Sequence, residues 1–194
     1  MGSIKPILFS TKMVQAILYN KKTITRRVAK ANSEHNFVGL YKGNIAIFDG
    51  GFGSYDVVCP YSVDDILYVR ETWCKDGVYL YRASYPPIDS EYRKWRPSIF
   101  MPKDAARIFL KVTNIRLEHL QDISDEDAKA EGANFSINGP SYNVGSYEKM
   151  KRTAVQRFEE IWTSTVTKDR YSWDNNPYVW VIQFEKTHFD KSNM

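Results

Sequence analysis

Short runs with a two-residue apolar period, each closed by a turn signal, recur along this chain and outnumber its stretches of helical period. The clearest is Arg107 to Leu117, where Ile108, Leu110 and Val112 alternate with Phe109, Lys111 and Thr113. Tyr178 to Phe184 is almost continuously apolar behind the turn Asp174-Asn175-Asn176-Pro177, which predicts a strand buried within a sheet. Phe37 to Phe48 reads as a hairpin about Lys42-Gly43-Asn44, and Ile66 to Ala83 as a second, with Ile66–Arg70 joined to Val78–Arg82 across Asp76-Gly77. Ile4 to Phe9 suits an edge strand that tolerates Pro6. Because such runs do not alternate one for one with helices, the pattern favours an α+β fold, a small and mostly antiparallel β-barrel with flanking helices, over a parallel doubly wound sheet.

Three helices are expected. Ser10 or Thr11 can cap the first, with Met13, Val14, Ile17 and Leu18 on one face and Asn20 as its stop. Ser124-Asp125-Glu126-Asp127 has the shape of a capping box, with acids where the helix dipole favours them and Gly132 as the stop. Ser146 to Trp162 is amphipathic, its apolar face Met150, Ala154, Val155, Phe158, Ile161 and Trp162. Trp162, Trp173 and Trp180 read as packing residues. Gly50-Gly51-Phe52-Gly53 is neither a phosphate loop nor a dinucleotide fingerprint and is read as a plain loop. Tyr85 to Pro102 holds Pro86, Pro87, Pro97 and Pro102, so it cannot be a central strand or a long helix and is expected to lie as a loop over the body of the domain. With 194 residues, 43% of them hydrophobic, and no repeat or linker, the chain suits one domain in which roughly 70% of the unfolded surface can be buried.

Charge and composition then narrow the function. Lys and Arg number 27 against 23 Asp and Glu, an excess of +4, which is too small for coating duplex DNA and leaves a local basic patch as the relevant scale. Cys59, Cys74, His35, His119 and His188 lack metal-ligand spacing, so no structural zinc is expected. No apolar run approaches the ~20 residues of a membrane span and the N-terminal segment lacks a long apolar stretch, so a cytoplasmic protein without a membrane partner is expected.

Four places could carry chemistry. Lys22, Thr25, Arg26 and Arg27 gather an amine, a hydroxyl and two guanidinium groups within six residues, suited to an anion or a nucleobase edge, although such a segment is commonly just a solvated strand. A joint role for Lys22 and Thr25 requires a turn at Lys22-Thr23, since in an extended segment they point to opposite faces. Glu131 falls in the last turn of its helix, where a carboxylate meets the negative end of the dipole, and if buried it could shuttle a proton. Glu71, between Arg70 and Trp73, is similar in kind, and equally an ion-pair partner. Tyr92-Arg93-Lys94-Trp95-Arg96 interleaves rings with cations, as grips on single-stranded nucleic acid do, while Trp95 could equally anchor the loop to the core.

Taken in order, Lys5-Pro6-Ile7-Leu8-Phe9, Lys22-Thr23-Ile24-Thr25-Arg26-Arg27, Ile66-Leu67-Tyr68-Val69-Arg70-Glu71-Thr72-Trp73, Trp95-Arg96-Pro97-Ser98-Ile99-Phe100-Met101-Pro102 and Asp127-Ala128-Lys129-Ala130-Glu131-Gly132 resemble the ASCH domain of the PUA-like superfamily. The likeness covers nearly the whole chain and is greatest to the long ASCH proteins of phages and prophages, more distant to the small bacterial amidohydrolases that deacetylate N4-acetylcytidine. It implies a single PUA-like barrel over residues 1–194, with inserted loops at about 49–60 and 84–104, a polar C-terminal tail, and a cleft for RNA or a modified nucleoside. Carried over by motif, it implies Lys22, Thr25 and Glu131 as the catalytic set, with Arg26, Arg27, Arg70, Glu71, Trp73, Arg93, Trp95 and Arg96 as substrate or nucleic-acid contacts, and it calls for no metal and no cofactor. Thr25 or a water it positions would attack an amide carbonyl, Lys22 would act as base or stabilise the oxyanion, and Glu131 would relay a proton. A non-catalytic module for RNA or single-stranded nucleic acid, and a ribonuclease of the same fold, are the alternatives. Asp64-Asp65 stands where the family usually has Gly-Asp, and Phe100 where long relatives often have histidine.

Overall fold

The structure, a computed structural model, describes residues 2–30, 37–41, 44–48, 54–56, 59–85, 93–134 and 152–190. In chain order the elements are β1 (Ile4–Leu8), α1 (Thr11–Leu18), β2 (Ile24–Val28), β3 (Phe37–Tyr41), β4 (Asn44–Phe48), β5 (Ser54–Asp56), β6 (Ile66–Arg70), β7 (Trp73–Asp76), β8 (Val78–Tyr81), β9 (Phe109–His119), α2 (Asp125–Ala130), α3 (Ala154–Thr165) and β10 (Tyr178–Thr187). The fold is mixed α+β and mostly antiparallel. Its main sheet runs β1-β6-β9-β10-β2, with β1 and β6 the parallel pair. The expected barrel differs in one respect: among the described residues β1 and β2 do not pair, so the sheet is open. Pro6 lies on the edge strand β1, where its missing N–H costs no ladder bond.

The expectation of a hairpin from Ile66 to Ala83 is corrected. The hairpin is β7 with β8, turning at Gly77 with φ +67°, whereas Ile66–Arg70 leaves it to pair with β1 and β9. The hairpin of β3 and β4 is present, and β5 extends it to a three-stranded sheet. The Gly50–Gly53 loop, Tyr92 and the first residues of the expected 146–162 helix lie outside the described residues.

β10 shows why its apolar run is nearly unbroken. Val179 and Val181 pack with Leu120, Ile123, Phe158 and Trp162 on one face of the sheet, while Trp180, Ile182 and Phe184 pack with Ile7, Val69, Leu110 and Val112 on the other. Both faces of the central strand are covered, so no polar alternation survives. Each such side chain fully buried contributes about 1.5–3 kcal/mol of apolar transfer.

α3 opens with a capping box, Thr153 accepting from Gln156 N–H while the Gln156 side chain accepts from Thr153 N–H, and continues three residues past Trp162. Ser124 caps α2 by accepting from Asp127 N–H. Asp64 sits at φ +71°, in the left-handed region where glycine is favoured, and pairs with Lys111 at 2.9 Å.

Candidate functional site

The end of α2 is pressed against the segment before β2 by a glycine. Gly132 has φ +85°, a backbone strained for any side chain, and a Cβ there would lie 3.1 Å from the Ala16 Cβ, so glycine favours this approach. Thr23 N–H donates to the Ala130 carbonyl at 2.9 Å, tying the two segments together. Lys22 and Thr23 precede the strand proper, which begins at Ile24.

Lys22 is fully buried and spends all three N–H bonds locally. Nζ donates to the Ile24 carbonyl at 2.8 Å, to the Glu131 carbonyl at 2.9 Å and to Glu131 Oε2 at 2.5 Å. An ammonium thus caps the negative end of α2, which accounts for a carboxylate being tolerated there. Burial pushes the Lys22 pKa below its ordinary value, against the attraction of Glu131.

Arg26, equally sealed, binds Glu118, reaches Asp127 at 2.8 Å and stands 3.5 Å from Glu131 Oε1. Arg116 closes the network on Glu118 at 2.9 Å and on Asp127. Burial works against the Arg26 charge, but Glu131, Asp127 and Glu118 together outweigh it and raise its pKa. Glu131 Oε1 has no hydrogen bond among the described residues.

A cavity of about 700 Å³ opens over this group, walled by Thr25, Arg26, Arg27 and Glu131 and by the rings of Phe9, Tyr61, Phe158, Trp162, Tyr171 and Trp180. Thr25 is 4% exposed and its hydroxyl makes no hydrogen bond among the described residues. Arg27 donates to the Leu8 carbonyl at 2.7 Å and lies 5.2 Å from the Phe9 ring centre. Burial lowers its pKa, against the pull of Tyr61 and Glu131. Lys22 is not among the lining residues, so any effect it has on a ligand passes through Glu131.

The other sequence candidates gather elsewhere, none of them among the described residues lining this cavity. Glu71 is held bidentately by Arg107, at 2.8 and 2.9 Å, and its N–H meets Met101 Sδ at 3.2 Å. Arg107 also donates to Ser84 Oγ and lies over the Tyr81 ring. Arg70 spends its donors on the carbonyls of Met101 and Ile99. Trp73 is buried against Tyr79 and exchanges two backbone hydrogen bonds with Arg96, whose guanidinium lies over its ring. Arg93 stacks on Tyr85, and Arg82 on Trp95.

Sequence reasoning missed the partners of Arg26, since the charges of β9 and α2 carry no signal of whom they meet. It also missed the double role of Trp162 and Trp180, which pack the core and wall the cavity.

No family model matches the chain, and no curated protein matches it. Among solved structures it is similar to a crystal structure of an ASCH domain from Lactobacillus crispatus, at 11% identity and a TM-score of 0.40, covering 95% of this chain and 79% of that one. Among the described residues no helix is long and apolar enough to cross a membrane.

Proposed function

We propose that the chain hydrolyses the amide of an N4-acylated cytidine in the cavity over Thr25 and Glu131. The observation that carries the reading is a wall that holds both the Thr25 hydroxyl and the Glu131 carboxylate, the hydroxyl and the buried Oε1 each without a hydrogen bond among the described residues. The base stacks among the aromatic side chains, and the nucleophile, Thr25 Oγ1 or a water bound to it, adds to the acyl carbon. Glu131 takes the nucleophile's proton and passes it to N4 as the C–N bond breaks and cytidine leaves. With water as nucleophile the carboxylic acid is released in that step, and with Thr25 a water then hydrolyses the acyl ester and restores the hydroxyl, so that one water is consumed on either route. Arg27 offers N–H donors to the carbonyl oxygen as it gains charge. Lys22 is a positioning residue: its ion pair to Oε2 fixes the Glu131 rotamer.

Mass-spectrometric turnover of N4-acetylcytidine and a small set of other N4-acylated cytidines tests this. Wild type is expected to release cytidine and the acid, and Lys22→Ala and Thr25→Val are not. Silence of the wild type across the set overturns the reading.

The cation-ring stacks of Arg82 on Trp95, Arg93 on Tyr85 and Arg96 on Trp73 support a second reading, binding of RNA or single-stranded nucleic acid without chemistry. Its signature is salt-dependent polynucleotide binding that Arg93→Ala, Trp95→Ala or Arg27→Ala weakens.

A further inference from the structure

The charges that line the cavity are one-sided. Among the described lining residues Arg26, Arg27, Lys30, Lys168 and Arg170 face it, against the single carboxylate Glu131. Two of these charges are already compensated inside the wall, Arg26 by Glu118 and Asp127, and Glu131 by Lys22. The others are arranged by depth. Arg27 and Arg170 are half-buried, whereas Lys30 and Lys168 are exposed and stand at the mouth. Neither lysine, nor Arg27, makes an ion pair among the described residues. Asp169 is adjacent in sequence to Lys168 and Arg170, yet it is not a lining residue.

A neutral nucleoside makes no use of such a mouth. Its base is accounted for by the rings deeper in, and a cavity of about 700 Å³ leaves room beyond a base and ribose. Lysine and arginine at a rim of this kind suit phosphate oxygens, which accept charge-assisted hydrogen bonds and are drawn in by the summed positive potential.

We propose that the ligand of this cavity is phosphorylated on its ribose, so that the substrate is a nucleotide or a nucleotide unit of an RNA strand, with its phosphate held by Lys30 and Lys168. The inference rests on the nucleoside reading above and adds to it the class of substrate. Phosphomonoester and phosphodiester share the chemistry that the mouth recognises.

Calorimetric binding of cytidine, of its 5′- and 3′-monophosphates and of a short cytidine-centred oligoribonucleotide tests the proposal without requiring turnover. At low salt one of the phosphorylated probes is expected to bind wild type about tenfold or more tighter than cytidine, with an advantage that shrinks as salt rises. The doubly substituted Lys30→Ala/Lys168→Ala protein is expected to bring the ratio towards one, and Lys30→Arg/Lys168→Arg to keep it. A mononucleotide that binds as tightly as the oligonucleotide assigns the monoester as ligand, and a tighter oligonucleotide assigns the diester. Equal affinity for cytidine and every phosphorylated probe, a ratio indifferent to the two lysines, or no binding of any probe overturns the proposal. If the phosphate advantage stands while N4-acylated cytidines and their phosphates are not turned over, the amidohydrolase reading alone falls.

Discussion

Glu71 and Glu131 are both buried carboxylates facing a cation, and they are built for different ends. Arg107 grips both oxygens of Glu71 in a planar fork, and the guanidinium is itself clamped between Ser84 and the Tyr81 ring. Glu131 gives only Oε2 to the Lys22 point charge, while Oε1 lies 3.5 Å from Arg26 without a hydrogen bond among the described residues. Glu71 fastens the turn after β6 to the segment before β9, away from the cavity, and Glu131 stands in the cavity wall. A carboxylate with both oxygens satisfied is a fastening, while one with an oxygen in reserve beside a ligand-sized space can move a proton.

The comparison breaks most visibly in turnover. Glu131→Gln is expected to lower the rate on an N4-acylated cytidine by about 10²–10⁴-fold, the usual worth of a general acid or base. Glu71→Gln is expected to leave the rate per folded molecule within about twofold, because it acts on the fold and not on the reacting atoms.

Stability should divide the other way. Arg107→Met strands the Glu71 carboxylate in the interior and is expected to cost about 3–5 kcal/mol in urea unfolding. Thr25→Val, which removes a hydroxyl without a partner among the described residues, is expected to stay within about 1 kcal/mol while abolishing turnover. Gly132→Ala lies between, at about 1–2 kcal/mol for the left-handed backbone, with its added methyl crowding the Ala16 Cβ at 3.1 Å.

The pH dependence sharpens the contrast. Burial, only partly offset by Arg107, raises the folded-state pKa of Glu71 above 4.5. Above that value the folded chain keeps a proton that the unfolded chain has lost, so the Glu71 contribution falls as pH rises through the window up to the folded pKa. Burial lowers the folded pKa of Lys22 below 10.5 despite Glu131. Between the folded pKa and 10.5 the unfolded chain binds more protons, so the Lys22 contribution rises with pH there. Unfolding free energies measured against pH for wild type, Glu71→Gln and Lys22→Met should show the acid-side fall missing from the first variant and the alkaline rise missing from the second. The smallest effect is expected at Arg93→Ala, whose contact to the exposed Asp76 at 3.6 Å is a surface pair of about 0–1 kcal/mol.

Local order was legible in the sequence, and pairing was not. β10 and β9 announce themselves by apolar patterning, and α2 by its Ser124 cap and Gly132 stop, because these signals reside in neighbouring residues. Ile66–Arg70 reads correctly as a strand, yet its partners β1 and β9 are about 40 to 60 residues away, and periodicity carries no record of them. The open edge between β1 and β2 is invisible for the same reason. At the site, Glu131 was marked by its mismatch with the helix dipole, and Lys22 and Thr25 by their density of polar groups. The meeting of Lys22 with Glu131 is helped by Gly132, which the sequence offers only as a helix stop. Glu118 and Asp127 carry no mark at all, since a surface acid and a buried partner of Arg26 look alike in sequence.

The division between the two carboxylates is tested most directly by assaying Glu131→Gln and Glu71→Gln beside wild type on one N4-acylated cytidine, with the folded fraction of each measured by near-ultraviolet circular dichroism. The account predicts that Glu131→Gln is folded and inactive, and that Glu71→Gln is less stable but turns over at the wild-type rate per folded molecule. A folded Glu131→Gln protein that keeps full activity, or a folded Glu71→Gln protein that loses it, would contradict the assignment of Glu131 as the working carboxylate.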